Sequence, residues 1–377
     1  MEETSNVPKL RFKYGDTWQS SKLHFLADIK TGNKDLKDNV KGGKYPFFVR
    51  SNHVERINSY SFDGEAILIP GDGNVGQIYH YIIGKFDFHQ RVYKISDFDS
   101  NIMGKYIYYY FQKNFLKEAL RNSVKATVDS LRLPTIKNFI INYPSIKEQE
   151  KIVKMLNNIE KKINLLYKQQ DALNDFKKFC LQNLFEGKLR FKEFIDDWIK
   201  IKLGNLVKIY SGKSPKNLIK DKGKFPYFKV EQLNDCSKFL KITPYLINDS
   251  SLLIKKGSVI FPKRGMAIMS NKIRILNQNS FMDTNLMALT VNEKMMNNEF
   301  LFYLLINERL SRIADTTSIP QLNNKHINPY LIYLPSLKEQ EKIANFLSSI
   351  DKKIDLTQNQ IDLMENFKKG LLQEMFV

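Results

Sequence analysis

The feature that most constrains this chain is that it is written twice. Tyr143-Pro-Ser-Ile-Lys-Glu-Gln-Glu-Lys-Ile152 recurs as Leu334-Pro-Ser-Leu-Lys-Glu-Gln-Glu-Lys-Ile343. The offset of 191 holds without a gap to Leu181-Gln-Asn-Leu-Phe185 and Leu372-Gln-Glu-Met-Phe376. Upstream, Lys9-Leu-Arg-Phe-Lys13 recurs as Lys188-Leu-Arg-Phe-Lys192, Trp18 as Trp198, Gly32 as Gly212, and Lys44-Tyr-Pro-Phe-Phe48 as Lys224-Phe-Pro-Tyr-Phe228, at offsets of 179 or 180. The chain therefore reads as module, helix, module, helix, with boundaries at 1–143, 144–187, 188–334 and 335–377. Duplication of one large unit excludes a solenoid, whose repeats run to roughly 20–50 residues.

The two repeated tails read as long helices. Pro144 and Pro335 precede Ser145 and Ser336, which suit N-caps, and Glu148 and Glu339 three residues on complete a capping-box pattern. An apolar series alternating by four and three follows. It is Ile152, Leu156, Ile159, Ile163, Leu166, Leu173, Cys180 and Leu184 in the first tail, and Ile343, Leu347, Ile350, Ile354, Ile361, Met364, Leu371 and Met375 in the second. That is a coiled-coil seam, and since neither stripe is buried alone the two helices are expected to pack against each other within one chain. At 1.5 Å per residue each helix is roughly 60 Å long. Gln170, Lys177, Thr357 and Lys368 interrupt the seam and are expected to set register or to mark where a partner enters.

The modules read as mixed α+β. The first has strands at Glu65–Pro70 and Gln77–Ile83 and a helix from Lys105. The second has strands at Ser258–Phe261 and Ile273–Leu276 and a helix around Asn298–Ile306. With 42% hydrophobic and 12% aromatic residues the 377-residue chain buries a sizeable core and is not intrinsically disordered. Two cysteines and five histidines argue against a disulfide framework and a metal centre. No membrane-spanning apolar run and no signal-peptide h-region is present, so a cytoplasmic setting is expected. Lys and Arg outnumber Asp and Glu 59 to 40, a net charge of +19, which attracts polyanions. Only 11 of the 59 are Arg, and the Lys, Asn and Ile richness also fits an AT-rich coding bias.

Three apparent catalytic motifs fail on context. Gly71-Asp-Gly-Asn-Val-Gly76 has the dinucleotide-binding spacing, but β-like sequence follows where a helix is required. Gly212-Lys-Ser214 lacks the P-loop glycine, with Val207 in its place. Asn328-Pro-Tyr330 lacks one proline of the amino-methyltransferase motif and has no AdoMet-type glycine loop upstream. No catalytic residues and no metal ligands are expected.

The segments entering each helix carry a resemblance to a known family. Ala126-Thr-Val-Asp-Ser-Leu131, Pro144-Ser-Ile-Lys-Glu-Gln-Glu-Lys-Ile152 and Ile159-Glu-Lys-Lys-Ile163 are answered by Thr317-Ser-Ile-Pro-Gln-Leu322, Pro335-Ser-Leu-Lys-Glu-Gln-Glu-Lys-Ile343 and Ile350-Asp-Lys-Lys-Ile354. Over its full length the chain resembles the specificity (S) subunits of Type I restriction–modification enzymes, with Glu160 standing where the family has Asp. The resemblance implies two target-recognition domains, each reading half of a bipartite, asymmetric double-stranded DNA site. It implies helices that pair as an antiparallel coiled coil, act as a spacer and dock two methyltransferase (M) subunits, with restriction (R) subunits added to these. AdoMet, ATP and Mg would belong to those partners, with no cofactor on this chain and no membrane association. The chain alone would not be an enzyme. A stand-alone DNA-binding or scaffold protein is the alternative, and a nuclease or methyltransferase fused to a reader is disfavoured by the missing motifs.

Candidate DNA-contacting residues are loop residues at strand ends. Gly71, Asp72, Gly73 and Asn74 form one such loop, and Lys263, Arg264 and Gly265 its counterpart. Glycine permits close backbone approach, Asn suits adenine, and Arg or Lys suits guanine or phosphate. His89, Gln90 and Arg91, and Asp283, Thr284 and Asn285, offer similar chemistry further on. Lys125, Thr127 and Ser318 precede the helices.

Overall fold

A computed structural model describes residues 8–13, 17–121, 130–214, 222–248, 253–315 and 319–377. The chain gathers into two compact units, Met1–Lys168 with Gln358–Val377, and Gln169–Thr357. Each unit combines one module, the N-terminal part of the long helix that follows it, and the C-terminal part of the other long helix. The architecture is an α+β duplication.

In the first unit, strands β1 (Gln19–Lys22), β2 (Asp28–Thr31), β3 (Tyr45–Phe48), β4 (Val54–Ile57), β5 (Phe62–Pro70), β6 (His80–Phe88) and β7 (Val92–Ser96) precede helices α1 (Gly104–Arg121) and α2 (Leu133–Lys137). Strand β8 (Ile140–Tyr143) then leads into helix α3 (Ile146–Phe185). Six strands form one sheet in the order β2-β7-β5-β6-β3-β4, antiparallel except for the β3–β6 pair, and β1 pairs with β8. Ala66 to Ile69 of β5 are all buried, which is why this central strand is a continuous apolar run rather than an alternating one. α1 packs Tyr106, Tyr109, Phe111 and Phe115 into the main core, with the phenol of Tyr106 donating to the Asn142 carbonyl at 2.8 Å.

The expected strand at Gln77–Ile83 starts only at His80. Residues 71–79 form a loop whose Val75 and Ile78 are buried in place of strand side chains. Gly76, at φ +70°, is pressed so closely on α1 that a Cβ there would lie 2.8 Å from Ala119. Tertiary packing of this loop outweighs its β-like composition.

The second unit repeats the plan. It contains β9 (Ile199–Lys202), β10 (Val207–Ser211), β11 (Phe225–Phe228), β12 (Phe239–Leu240), β13 (Leu246–Ile247), β14 (Val259–Pro262), β15 (Arg274–Leu276), β16 (Phe281–Met282) and β17 (Leu286–Val291). Helices α4 (Asn298–Glu308) and α5 (Asn324–Ile327), strand β18 (Leu331–Leu334) and helix α6 (Leu337–Met375) complete it. Its main sheet runs β10-β17-β14-β15-β12, a smaller one β13-β11-β16, and β9 pairs with β18 as β1 does with β8.

The repeated Glu-Gln pair explains how each long helix is fastened to its module. Ser336 behaves as an N-cap, its hydroxyl accepting from the Glu339 amide at 3.4 Å. Ser145 does not: its hydroxyl is buried with no partner in the structure. Neither glutamate is seen closing a capping box, because each is claimed by an arginine from the repeated Lys-Leu-Arg-Phe segment. Arg11 donates to both oxygens of the fully buried Glu148 (Nε at 3.0 and 3.2 Å, Nη2 at 2.9 Å). Arg190 donates to Glu339 at 2.8 and 3.0 Å, joined by the Trp198 indole N–H at 3.3 Å. Gln149 next door accepts from the Met103 amide and donates to the Asn101 and Pro144 carbonyls. Gln340 does the same with Asn297, Met295 and Pro335.

The seam is buried as its periodicity requires, from Ile152 to Leu166 and at Leu184 in α3, and at Ile343, Leu347, Ile350, Ile361 and Leu371 in α6, while Leu173 and Ile354 are half-buried. In the first unit the helix segments pair antiparallel, with Lys368 on Glu160 at 2.7 Å and the Tyr167 hydroxyl on Glu365 at 2.7 Å. In the second, Lys177 meets Asp351 at 2.5 Å. The two seam lysines thus make equivalent ion pairs, each within its own unit. Each acid also accepts from a module phenol, Glu160 from Tyr109 at 2.8 Å and Asp351 from Tyr303. Burial opposes ionisation of Glu160, but the Lys368 ammonium prevails and holds its carboxyl below the usual range.

Candidate nucleic-acid interface

The candidate loop residues of the first module converge on one carboxylate. Asp72, its side chain almost wholly buried, accepts from Arg91 Nη1 at 2.8 Å and from Arg50 Nη1 at 3.1 and 3.0 Å. Arg50 is a residue that motif reading missed. Its partner lies 22 residues away, and no spacing rule connects them. His89 is buried beneath, and its Nδ1 accepts from the Arg91 amide at 2.9 Å. Burial, reinforced by the Arg50 charge, holds the imidazole below its usual pKa and therefore neutral. Gln90 is exposed and donates to Asp35 at 3.0 Å. Gly73 and Asn74 form the exposed tip, Gly73 at φ +79°. Arg50, Asp72, Gly73, Asn74 and His89, together with Val49, Ser51 and Glu55, line an open cleft of about 370 Å³.

The second module builds the same backbone with other side chains. The Gly71 amide donates to the Arg91 carbonyl at 2.7 Å, and the Lys263 amide donates to the Asn285 carbonyl at 2.8 Å. Leu131 N–H to Gly71 O (2.7 Å) is matched by Leu322 N–H to Lys263 O (2.8 Å). Asp72 bridges Ser130 as Arg264 bridges Gln321. Gly265 has φ +77°. The Asn285 amide donates to Asp283 Oδ1 at 2.6 Å, as that of Arg91 does to His89. Under both loops a repeated glycine allows backbone contact: a Cβ on Gly32 would strike the Phe88 carbonyl, and one on Gly212 the Asp283 carbonyl. Arg264 and Thr284 are exposed, and burial lowers the Lys263 pKa against the pull of Asp283. The structure therefore brings both pairs of candidate segments together. Lys125, Thr127 and Ser318 lie outside the described residues.

Among the described residues, no group of three or more His, Cys, Asp or Glu is placed to hold a metal ion, and no helix is long and apolar enough to cross a membrane. No helix follows Gly76; the next element is β6.

Two α+β modules with equivalent loops, each fastened to a long helix through the same Arg-Glu and Gln contacts, define a tandemly duplicated module-and-helix fold. The family model for the Type I restriction modification DNA specificity domain matches residues 15–175 and 195–366, so the chain belongs to the family of Type I restriction–modification specificity subunits. The Type I restriction enzyme MjaVIII specificity subunit of Methanocaldococcus jannaschii is 26% identical over 395 residues, covering 95% of this chain and 91% of that protein. The crystal structure of the Type I restriction–modification S subunit from M. genitalium superposes with a TM-score of 0.69 at 19% identity, covering 98% and 99% of the two chains. A chain from a structure described as addressing complex assembly and conformational transition of the type I R-M system gives 0.60 at 13% identity, over 96% and 99%.

Proposed function

We propose that this chain is the non-catalytic DNA reader of a Type I complex, each module recognising one half of a bipartite, asymmetric site. The observation that carries this reading is the contrast within the duplication. The helix anchors keep their residues, Arg11, Glu148 and Gln149 against Arg190, Glu339 and Gln340. The loops keep their backbone hydrogen bonds and change their side chains. Modules that read different half-sites must differ, whereas helices that bind one kind of partner twice must not. In this reading the helices set half-site spacing and dock two methyltransferase subunits, and restriction subunits add to that core. AdoMet, ATP and Mg act on those partners, and this chain binds none of them.

The complex of this chain with its methyltransferase partner, titrated onto duplexes at rising salt, tests the reading. One duplex retains at least tenfold preference over random sequence at every salt concentration, while the affinity for both falls with a common electrostatic slope. Equal affinity for all duplexes at every salt would favour the stand-alone scaffold instead.

A further inference from the structure

We propose that Arg50 and Arg91, held by Asp72, read the guanine of a G·C base pair in the first module's half-site, and that positions 50, 72 and 91, with Val230, Arg264 and Asn285 as their counterparts, are where each module's specificity is set. This rests on the DNA-reading function proposed above. Three observations carry it.

The first is geometric. Each arginine spends one Nη on the Asp72 carboxylate, and among the described residues their Nε and Nη2 groups have no partner. Arg91 is 62% exposed and Arg50 44% exposed, so pre-aimed donors face solvent from a buried buttress. Guanine N7 and O6 are the paired acceptors that an arginine fork matches in the major groove.

The second is electrostatic. The chain carries a net charge of +19, yet here two arginines share the Asp72 carboxylate, Glu55 lines the same cleft as Arg50 and Asp72, and Asp35 lies beside His89 and Gln90. Three carboxylates repel a phosphate, whereas a base edge carries no net charge, and the cytosine N4 amine of the same pair donates to a carboxylate.

The third is the internal comparison. Phe48 accepts from the His89 amide at 2.9 Å and Phe228 from the Asp283 amide at 2.8 Å, which places Arg50 and Val230 at equivalent positions. Asp72 and Arg264 occupy equivalent bridges, and Arg91 and Asn285 equivalent turns. The backbone is constant at these three positions while the side chain changes in charge or kind at every one.

The test is adenine methylation mapped by long-read sequencing in cells carrying the methyltransferase partner with the wild-type chain, Arg91→Lys or Asp72→Asn. Arg91→Lys keeps the charge of an exposed residue and removes only the fork, so it does not depend on a fragile fold. In the wild type, the half-site lost when the first module is replaced contains a required G·C pair. Arg91→Lys relaxes that one position by about 5- to 150-fold in relative methylation, the range of a single bidentate base contact. Asp72→Asn relaxes the same position, and the second half-site is unchanged. A half-site without a required G·C pair, or an unaltered motif in Arg91→Lys, overturns the inference. A uniform loss of methylation with the motif intact also overturns it and marks Arg91 as a phosphate contact. Absence of any split motif in the wild type would instead overturn the function on which the inference rests.

Discussion

Replacing Arg11 by Met removes the cation from a carboxylate that has no exposed surface, while keeping much of the apolar stem of the side chain. Removing one member of a buried ion pair costs about 3–5 kcal/mol. Arg11 is itself 18% exposed, so the lower end applies, about 3 kcal/mol. Glu148→Met leaves the guanidinium behind and costs a similar amount. The double variant, with neither charge, lies within about 1–2 kcal/mol of the parent, because an apolar pair of similar volume replaces a buried ion pair at little cost. Urea unfolding followed by fluorescence of Trp18 and Trp198, the two tryptophans of the chain, measures this directly. With a slope of about 2–3 kcal/mol per molar, each single variant lowers the midpoint by about 1–1.5 M and the double variant shifts it by about 0.3–1 M, far less than the sum of the two. Additive losses, or single variants within about 0.2 M of the parent, would refute the claim that this pair fastens the first module to its helix.

Other consequences follow from the same contacts. Leu10 donates to the Glu374 carbonyl at 2.9 Å just as Leu189 donates to the Asn183 carbonyl at 3.0 Å, so the first Lys-Leu-Arg-Phe segment sits on the end of α6 as the second does on the end of α3. A permutant joining Val377 to Lys9 through one glycine, which takes the part that Gly187 plays at φ +70°, and opened between Gly187 and Lys188, folds with an unchanged circular dichroism spectrum; an insoluble or unfolded product would contradict this. Glu160 has a folded pKa below its ordinary value near 4.5, so the stability it supplies is complete above that ordinary value and is lost as pH falls from there through the lowered folded value. Glu160→Gln therefore costs stability at neutral pH and flattens the acid limb of a thermal-melt series, and an unchanged acid limb would show that the Lys368 pair contributes nothing. Arg264→Ala alters the half-site read by the second module while co-purification with the methyltransferase persists; unchanged motif and rates would remove Arg264 from the interface.

Periodicity and repetition made the long helices and the duplication legible, because a four-three spacing requires only local order. Contacts spanning more than a hundred residues stayed hidden. Glu148 sits where a capping box belongs, yet Arg11, 137 positions earlier, takes its carboxylate. Val75 and Ile78 look like strand residues, yet both are buried in a loop, Val75 in the core that α1 shares. Gly71–Asn74 and His89–Arg91 were readable as loop chemistry from their polar and glycine content, but their meeting at Asp72 depends on the strand order of the sheet, which no spacing encodes. Arg50 carried one faint signal: it follows the repeated Lys44–Phe48 segment at the point where the two modules diverge, with Val230 in its place.

The central claim is that two modules of one chain specify two halves of one site. Its most direct test is long-read methylation mapping of cells carrying the methyltransferase partner, with and without this chain. The account predicts N6-methyladenine at a single split motif only when the chain is present, with one half of that motif following each module when modules are exchanged. Identical methylation in both cultures, from proteins that co-purify, would contradict it.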